Sequence, residues 1–180
     1  MTAGGASASE RTWNDISEAP GDDSCRLHSV KVVSETGVPT GSVDVGHSVG
    51  IQIAFDVLEP GHKLSPYITL VSDAGIDLFS SADSNRQFET VPREVGRYTT
   101  VCWIPPEFLA EGTHYTRVVL RAMNRQALVF RESDVVAFNV VDDSNVGFGT
   151  SWWEGKPKGV VRPRLDWTYE YTQPSMIIEG

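Results

Sequence analysis

Eight residues carry the side chains best suited to holding a ligand: Gln52, Asp56, Trp103, Arg117, Arg121, Asn139, Trp152 and Trp153. The chemistry they share is recognition. A sugar presents apolar ring faces and a rim of hydroxyls. A flat aromatic ring packs on the face, and amide, carboxylate and guanidinium groups match the rim with planar pairs of donors and acceptors. Gln52 and Asp56 fall on the polar side of one alternating stretch, and Asn139 is the lone polar residue in an apolar one. Arg117 and Arg121 follow Tyr115, so these five could line one sheet surface. Trp103 is out of phase with Tyr98, Cys102 and Ile104. If the Ile104 set is core, Trp103 stands on the outer face of its strand. The Trp152-Trp153 pair lies near glycines, where exposed tryptophans need a partner: a sugar, a second subunit or the rest of the domain.

Bond-breaking chemistry is poorly represented. Asp56, Asp73, Asp77 and Asp166 could in principle flank a glycosidic bond, but no two stand out as a pair, and ordinary surface charge explains them. The sequence has no Gly-x-x-x-x-Gly-Lys-Ser/Thr loop, no Gly-x-Gly-x-x-Gly and no Gly-x-Ser-x-Gly elbow. His28, His47, His62 and His114 are scattered, and Cys25 and Cys102 form no Cys-x-x-Cys. The expectation is a chain without catalysis, metal or cofactor. Both thiols are expected to be reduced, although a Cys25–Cys102 disulfide stays open.

The elements that must position these groups read as strands. Ser48 to Leu58 is the clearest, with Ile51, Ile53, Phe55 and Val57 alternating with Gln52, Ala54 and Asp56. Others are Leu27–Val33, Tyr67–Ser72, Ile76–Phe79, Tyr98–Ile104, Tyr115–Leu120, a short edge at Val129–Arg131, and Val135–Val141, apolar enough on both faces to be central. Asp73-Ala74-Gly75 closes a hairpin, and Ser80 to Glu94 reads as a long loop. Between Tyr98–Ile104 and Tyr115–Leu120, Pro105 and Pro106 stop the ladder. Glu107 to Ala110 can make one helical turn, and Gly112 suits the exit. About eight short strands with turns at this spacing predict an all-β sandwich.

The ends differ from this body. Residues 1–12 are small and polar and are expected to be a disordered linker, with no basic start and apolar centre of a secretory signal. Residues 13–180 form the domain, and its last part, 146–180, is an irregular tryptophan-rich tail. In that tail Leu165 to Tyr171 could add a strand, and Lys156, Lys158, Arg162 and Arg164 make a basic face. The chain of 180 residues carries a net charge of −9, which argues against nucleic acid and anionic lipid. No apolar run approaches a membrane span of about 20 residues.

The order APGDD, LHSVKVVSETG, IQIAFDVLEPG, YITLVSDAGIDLFSS, GRYTTVCWIPPEFLAEGTHYTRVVL, FNVVDD and GVVRPRLDW resembles a known family. It is similar to the C-terminal carbohydrate-binding domain of the Wzt-type ATP-binding subunit of bacterial O-antigen polysaccharide ABC exporters. The resemblance spans residues 13 to 171. Its most specific parts are the corner Gly-x-Tyr, Ile-Pro-x-x-x-Leu, Gly-x-x-Tyr and the closing Pro-Arg-Leu-Asp-Trp. It implies an immunoglobulin-like antiparallel β-sandwich that binds the non-reducing end of a lipid-linked glycan and couples chain completion to export. It also implies a homodimer with the tail in the subunit contact, ATPase and permease subunits as partners, and a place at the cytoplasmic face of the inner membrane. The ATPase half of such a subunit is missing from this sequence, which would be an excised domain or a free-standing relative. The Gly112–Tyr115 spacing is one residue longer than the family's usual Gly-x-Tyr. Binding residues are therefore taken from the sheet-face pattern. Two other readings compete: a dimerisation or interaction module without a sugar site, and a polysaccharide-modifying enzyme.

Overall fold

Alternation in the most regular strand sets the architecture. Ile51, Ile53, Phe55 and Val57 are almost fully buried, while Gln52 and Asp56 between them are half-buried. One face of this strand is therefore dry, as a period of two requires. The structure, a computed structural model, describes residues 8–83 and 90–142. Among the described residues are nine strands: β1 Glu10–Thr12, β2 Cys25–Ser34, β3 Ser42–Asp44, β4 Val49–Val57, β5 Leu64–Ser72, β6 Asp77–Ala82, β7 Gly96–Ile104, β8 Gly112–Ala122 and β9 Ala127–Val141.

They form a β-sandwich. One sheet has the order β1-β2-β4-β7 and the other β3-β9-β8-β5-β6. Pairing is antiparallel except for β3, which lies parallel to β9. The inner faces meet in one core that includes Leu27, Val30, Ile51, Ile53 and Phe55 from the first sheet and Ile68, Leu70, Val118, Leu120 and Phe138 from the second. Each such side chain contributes about 1.5–3 kcal/mol by leaving water. The N-terminal segment ties the two layers along one side. The Ser9 carbonyl accepts from Val32 N–H at 2.8 Å in the first sheet, and the Ala8 carbonyl accepts from Ala137 N–H at 3.3 Å in the second.

The all-β class and the central placement of the 135–141 stretch, which lies between β3 and β8, agree with the sequence reading. Several details differ. Part of the stretch read as linker is β1, paired to Ser29–Lys31 of β2. β3 is three residues long, too short to show a period. The two segments read as Val129–Arg131 and Val135–Val141 are one strand, β9, whose register against β8 shifts twice. A bulge between Leu27 and Ser29 resets the faces of β2, so that Leu27 and Val30 both point inward. The corner after β7 contains no helical turn. Glu107 takes a φ of 56°, and its N–H donates to the Val45 carbonyl at 2.6 Å, which pins the corner to the segment after β3. Both cysteines are free. Cys25 pairs with Val57 and Cys102 with Ile51, so they sit at opposite ends of β4. At ~3.4 Å per residue that separation far exceeds the reach of a disulfide.

Candidate functional site

Strand register turns the sequence candidates into surfaces. On the outer face of the four-stranded sheet, residues stand in cross-strand rows. One row is Arg26, Asp56, Arg97; the next is Thr12, Ser29, Ala54, Thr99. Then come Glu10, Lys31, Gln52, Val101, and finally Val33, Gly50, Trp103. Trp103 is 48% exposed, in contrast to its neighbour Ile104 at 2%. The phase argument thus holds, and the indole stands on the outer face.

Gly50 makes room for that indole. A Cβ placed there would lie 2.8 Å from Val33 Cγ2, 2.8 Å from Val101 Cγ1 and 2.9 Å from Trp103 Cζ3. Only a residue without a side chain lets these three groups close over the strand. The result is an apolar seat with one large aromatic half-exposed on it. Gln52 lies in the next row, with its amide available for a hydroxyl rim. Lys31, beside it, is 3.3 Å from Glu10. Asp56 is committed elsewhere. Arg97 donates to it twice, Nε at 2.7 Å and Nη2 at 2.9 Å, a bidentate pair that raises the Arg97 pKa further.

The remaining candidates belong to the other sheet. On its outer face one row reads Asp77, Val71, Tyr115, Ala137, and another Ser80, Thr69, Arg117. Beyond them lie Ala82, Tyr67, Val119, Arg131 and then Ser65, Arg121, Leu128. Arg117 Nη1 donates to Asp77 Oδ2 at 3.1 Å, and Asn139 sits opposite Thr113 and Ser42 at the far end. The five residues expected to line one sheet surface are therefore split between two. Gln52, Asp56 and Trp103 share one outer face, and Arg117, Arg121 and Asn139 share the opposite one. Trp152 and Trp153, like the possible strand at Leu165 to Tyr171, lie outside the described residues. Of the carboxylates weighed for catalysis, Asp56 and Asp77 separate in the same way, and Asp166 lies outside the described residues. Asp56 is bound to Arg97 in one sheet and Asp77 to Arg117 in the other.

Sequence reasoning missed Gly50 and Val33 as the seat of Trp103. It also missed a hollow of about 510 Å³ lined by Tyr67, Arg121, Ala122, Met123 and Gln126. A smaller hollow of about 190 Å³ opens between β6 and β7, with Ile53, Ile68, Ser81, Asp83 and Cys102 on its walls. Burial pushes the Cys102 thiol pKa up there, against a hydrogen bond with Ser81. Among the described residues no group of three or more His, Cys, Asp or Glu could hold a metal ion. No helix among them is long and apolar enough to cross a membrane.

The two-sheet arrangement has a counterpart among solved structures. The crystal structure of the C-terminal domain of Wzt superposes with a TM-score of 0.63 over 89% of this chain and 89% of that chain, at 14% sequence identity. This chain has the Wzt C-terminal domain fold. No protein-family model matches the sequence, and no curated protein matches it. At this identity the likeness lies in the path of the chain through the two sheets. The Wzt fold here carries its own set of outward side chains, which have to be read from this chain's rows.

Proposed function

We propose that this domain is a non-catalytic glycan-binding module and that the Trp103 face takes the sugar. The observation that carries the reading is a half-exposed indole seated over Gly50 on the outer face of a sandwich with the Wzt C-terminal fold. The indole offers a flat apolar surface to a pyranose ring, and Gln52 in the adjacent row offers a donor and an acceptor to its hydroxyls. Of the carboxylates weighed for catalysis, Asp56 and Asp77 stand on different sheets, each held by an arginine.

The ligand, on the sequence resemblance and the shared fold, is the non-reducing end of a lipid-linked O-antigen or related cell-surface polysaccharide. Binding would couple recognition of the finished chain to export by an ABC transporter at the cytoplasmic face of the inner membrane, with the ATPase and permease subunits as partners. A shallow site of this kind binds one sugar weakly. Two copies in a homodimer would raise affinity through linkage alone, without new contacts. Selectivity would come from polar groups left unpaired when the wrong chain end sits on the face.

The test is capture of lipid-free O-polysaccharide from the source organism by the wild-type chain and by Trp103→Ala. The expected result is loss of capture with an unchanged far-UV circular dichroism spectrum. Capture retained by Trp103→Ala would move the site off this face. Loss of self-association in place of loss of capture would make the face a protein interface.

A further inference from the structure

Across the described residues, nearly every arginine already has a partner. Arg26, Arg97, Arg117 and Arg125 each pair with an aspartate. Arg11 lies over the Trp13 ring, and Arg93 is buried between Phe55 and Tyr98 with Nη2 donating to the Leu64 carbonyl. Arg121 and Arg131 are the two described arginines with no ion pair, hydrogen bond or ring contact. The chain has 24 acidic residues against 15 lysines and arginines. In such a chain carboxylates are plentiful, yet both of these guanidinium groups are left without one.

The two share a face and a neighbourhood. Arg131 stands opposite Val119 on β8, and Arg121 is two residues further along β8 on the same side. That makes them diagonal neighbours, with backbones roughly 7–8 Å apart. Tyr67 stands in the Arg131 row on the other side of Val119. Arg121, Tyr67, Met123 and Gln126 wall the hollow of about 510 Å³. A volume of that size lies within the range of small-ligand sites, roughly 300–1,000 Å³.

We propose that this hollow binds a pyranose bearing an oxyanion, either a carboxylate or a phosphate ester. The Arg121 guanidinium in its wall, with Arg131 as diagonal neighbour, supplies paired donors matched to such a group. The half-buried Tyr67 ring supplies an apolar wall for the sugar face, and the Gln126 amide reaches the hydroxyl rim. Bare anions would use the arginines and leave the ring wall empty; neutral sugars would use the wall and leave the arginines to water. The combination selects an acidic sugar. The site adds a charged second contact, on the opposite sheet, to the glycan-binding reading, and rests on that reading for the kind of ring.

The test is a nitrogen-15 NMR titration of the full chain with four probes: glucuronic acid, glucose 6-phosphate, glucose and inorganic phosphate. The Arg121 Nε–H and Gln126 side-chain amide signals report this site, and the Trp103 Nε1–H reports the other face in the same spectra. Failure here and failure at Trp103 are therefore read separately. The expected result is saturable movement of the Arg121 and Gln126 signals with one or both acidic sugars, about tenfold tighter than with glucose or inorganic phosphate. Response to one acidic sugar alone assigns the oxyanion as carboxylate or phosphate. In Arg121→Gln or Arg131→Gln, both exposed enough to leave the fold intact, affinity should fall at least about fivefold. Inorganic phosphate binding as well as the acidic sugars, glucose binding as well as they do, no response to either acid, or full affinity in both variants would overturn the proposal.

Discussion

Replacing Gly50 by alanine tests the seat of Trp103 in one step. Its φ lies outside the left-handed region, so the glycine is there for room and not for backbone conformation. A Cβ would meet Val33 and Val101 at 2.8 Å and the indole at 2.9 Å. Val33 is only 1% exposed and has nowhere to move, whereas the half-exposed indole can swing outward. Overpacking of this kind costs about 1–3 kcal/mol. The alanine recovers about 0.4–1 kcal/mol by restricting the unfolded chain. The net loss is therefore on the order of 1 to 2 kcal/mol, and for a domain of this size each kcal/mol lowers Tm by about 2–4 °C. Thermal unfolding should show a fall of several degrees. The Trp103 Nε1–H resonance, assigned by its disappearance in Trp103→Phe, should shift as the ring is displaced, and glycan affinity should drop with it. A Tm and an indole resonance both unchanged in Gly50→Ala would refute the close packing from which the site is built.

Three further outcomes follow from buried groups. His114 packs on Phe138, and its Nδ1–H donates to the Gly112 carbonyl at 3.0 Å; burial holds its pKa below the ordinary 6.5, against that hydrogen bond and the nearby Asp73 charge. The unfolded state then binds the proton more readily than the folded one. Stability is fully present above about pH 6.5 and is lost as pH falls below it, and His114→Phe should flatten that part of a urea-midpoint-against-pH profile. Burial, reinforced by Asp22 and Asp56, pushes the Cys25 thiol up to about 12. Iodoacetamide labelling followed by mass spectrometry should modify the half-buried Cys102 first and Cys25 only on unfolding. Leu70 is fully buried in the shared core, and Leu70→Ala should cost about 2–5 kcal/mol in urea unfolding with the fold retained.

The dry face of β4 was legible because alternation is a local signal, and the two-layer class followed from several such strands with turns between them. The exposure of Trp103 was legible for the same reason: it depends only on the phase of Trp103 against Ile104. What could not be read was which polar faces look the same way. Gln52 and Arg121 are each outward on their own strands, but whether they share a surface depends on strand order, which periodicity does not contain. Tyr67 and Gln126 join Arg121 only through the β5–β8 register and the β8–β9 turn. β1 and β3 are each three residues long and take their extended form from hydrogen bonds to β2 and β9, not from their own composition. At the corner, Pro106 suggested a helical start, but the N–H of Glu107 found the Val45 carbonyl and the chain turned through a left-handed residue.

The claim that a sugar settles on the Trp103 face is tested most directly by titrating the nitrogen-15-labelled chain with a purified non-reducing-end oligosaccharide of the source organism's O-polysaccharide. The account predicts saturable movement of the Trp103 Nε1–H and Gln52 side-chain amide signals, with affinity in Trp103→Ala at least about tenfold weaker. Signals that stay in place at millimolar oligosaccharide, or undiminished affinity in Trp103→Ala, would contradict it.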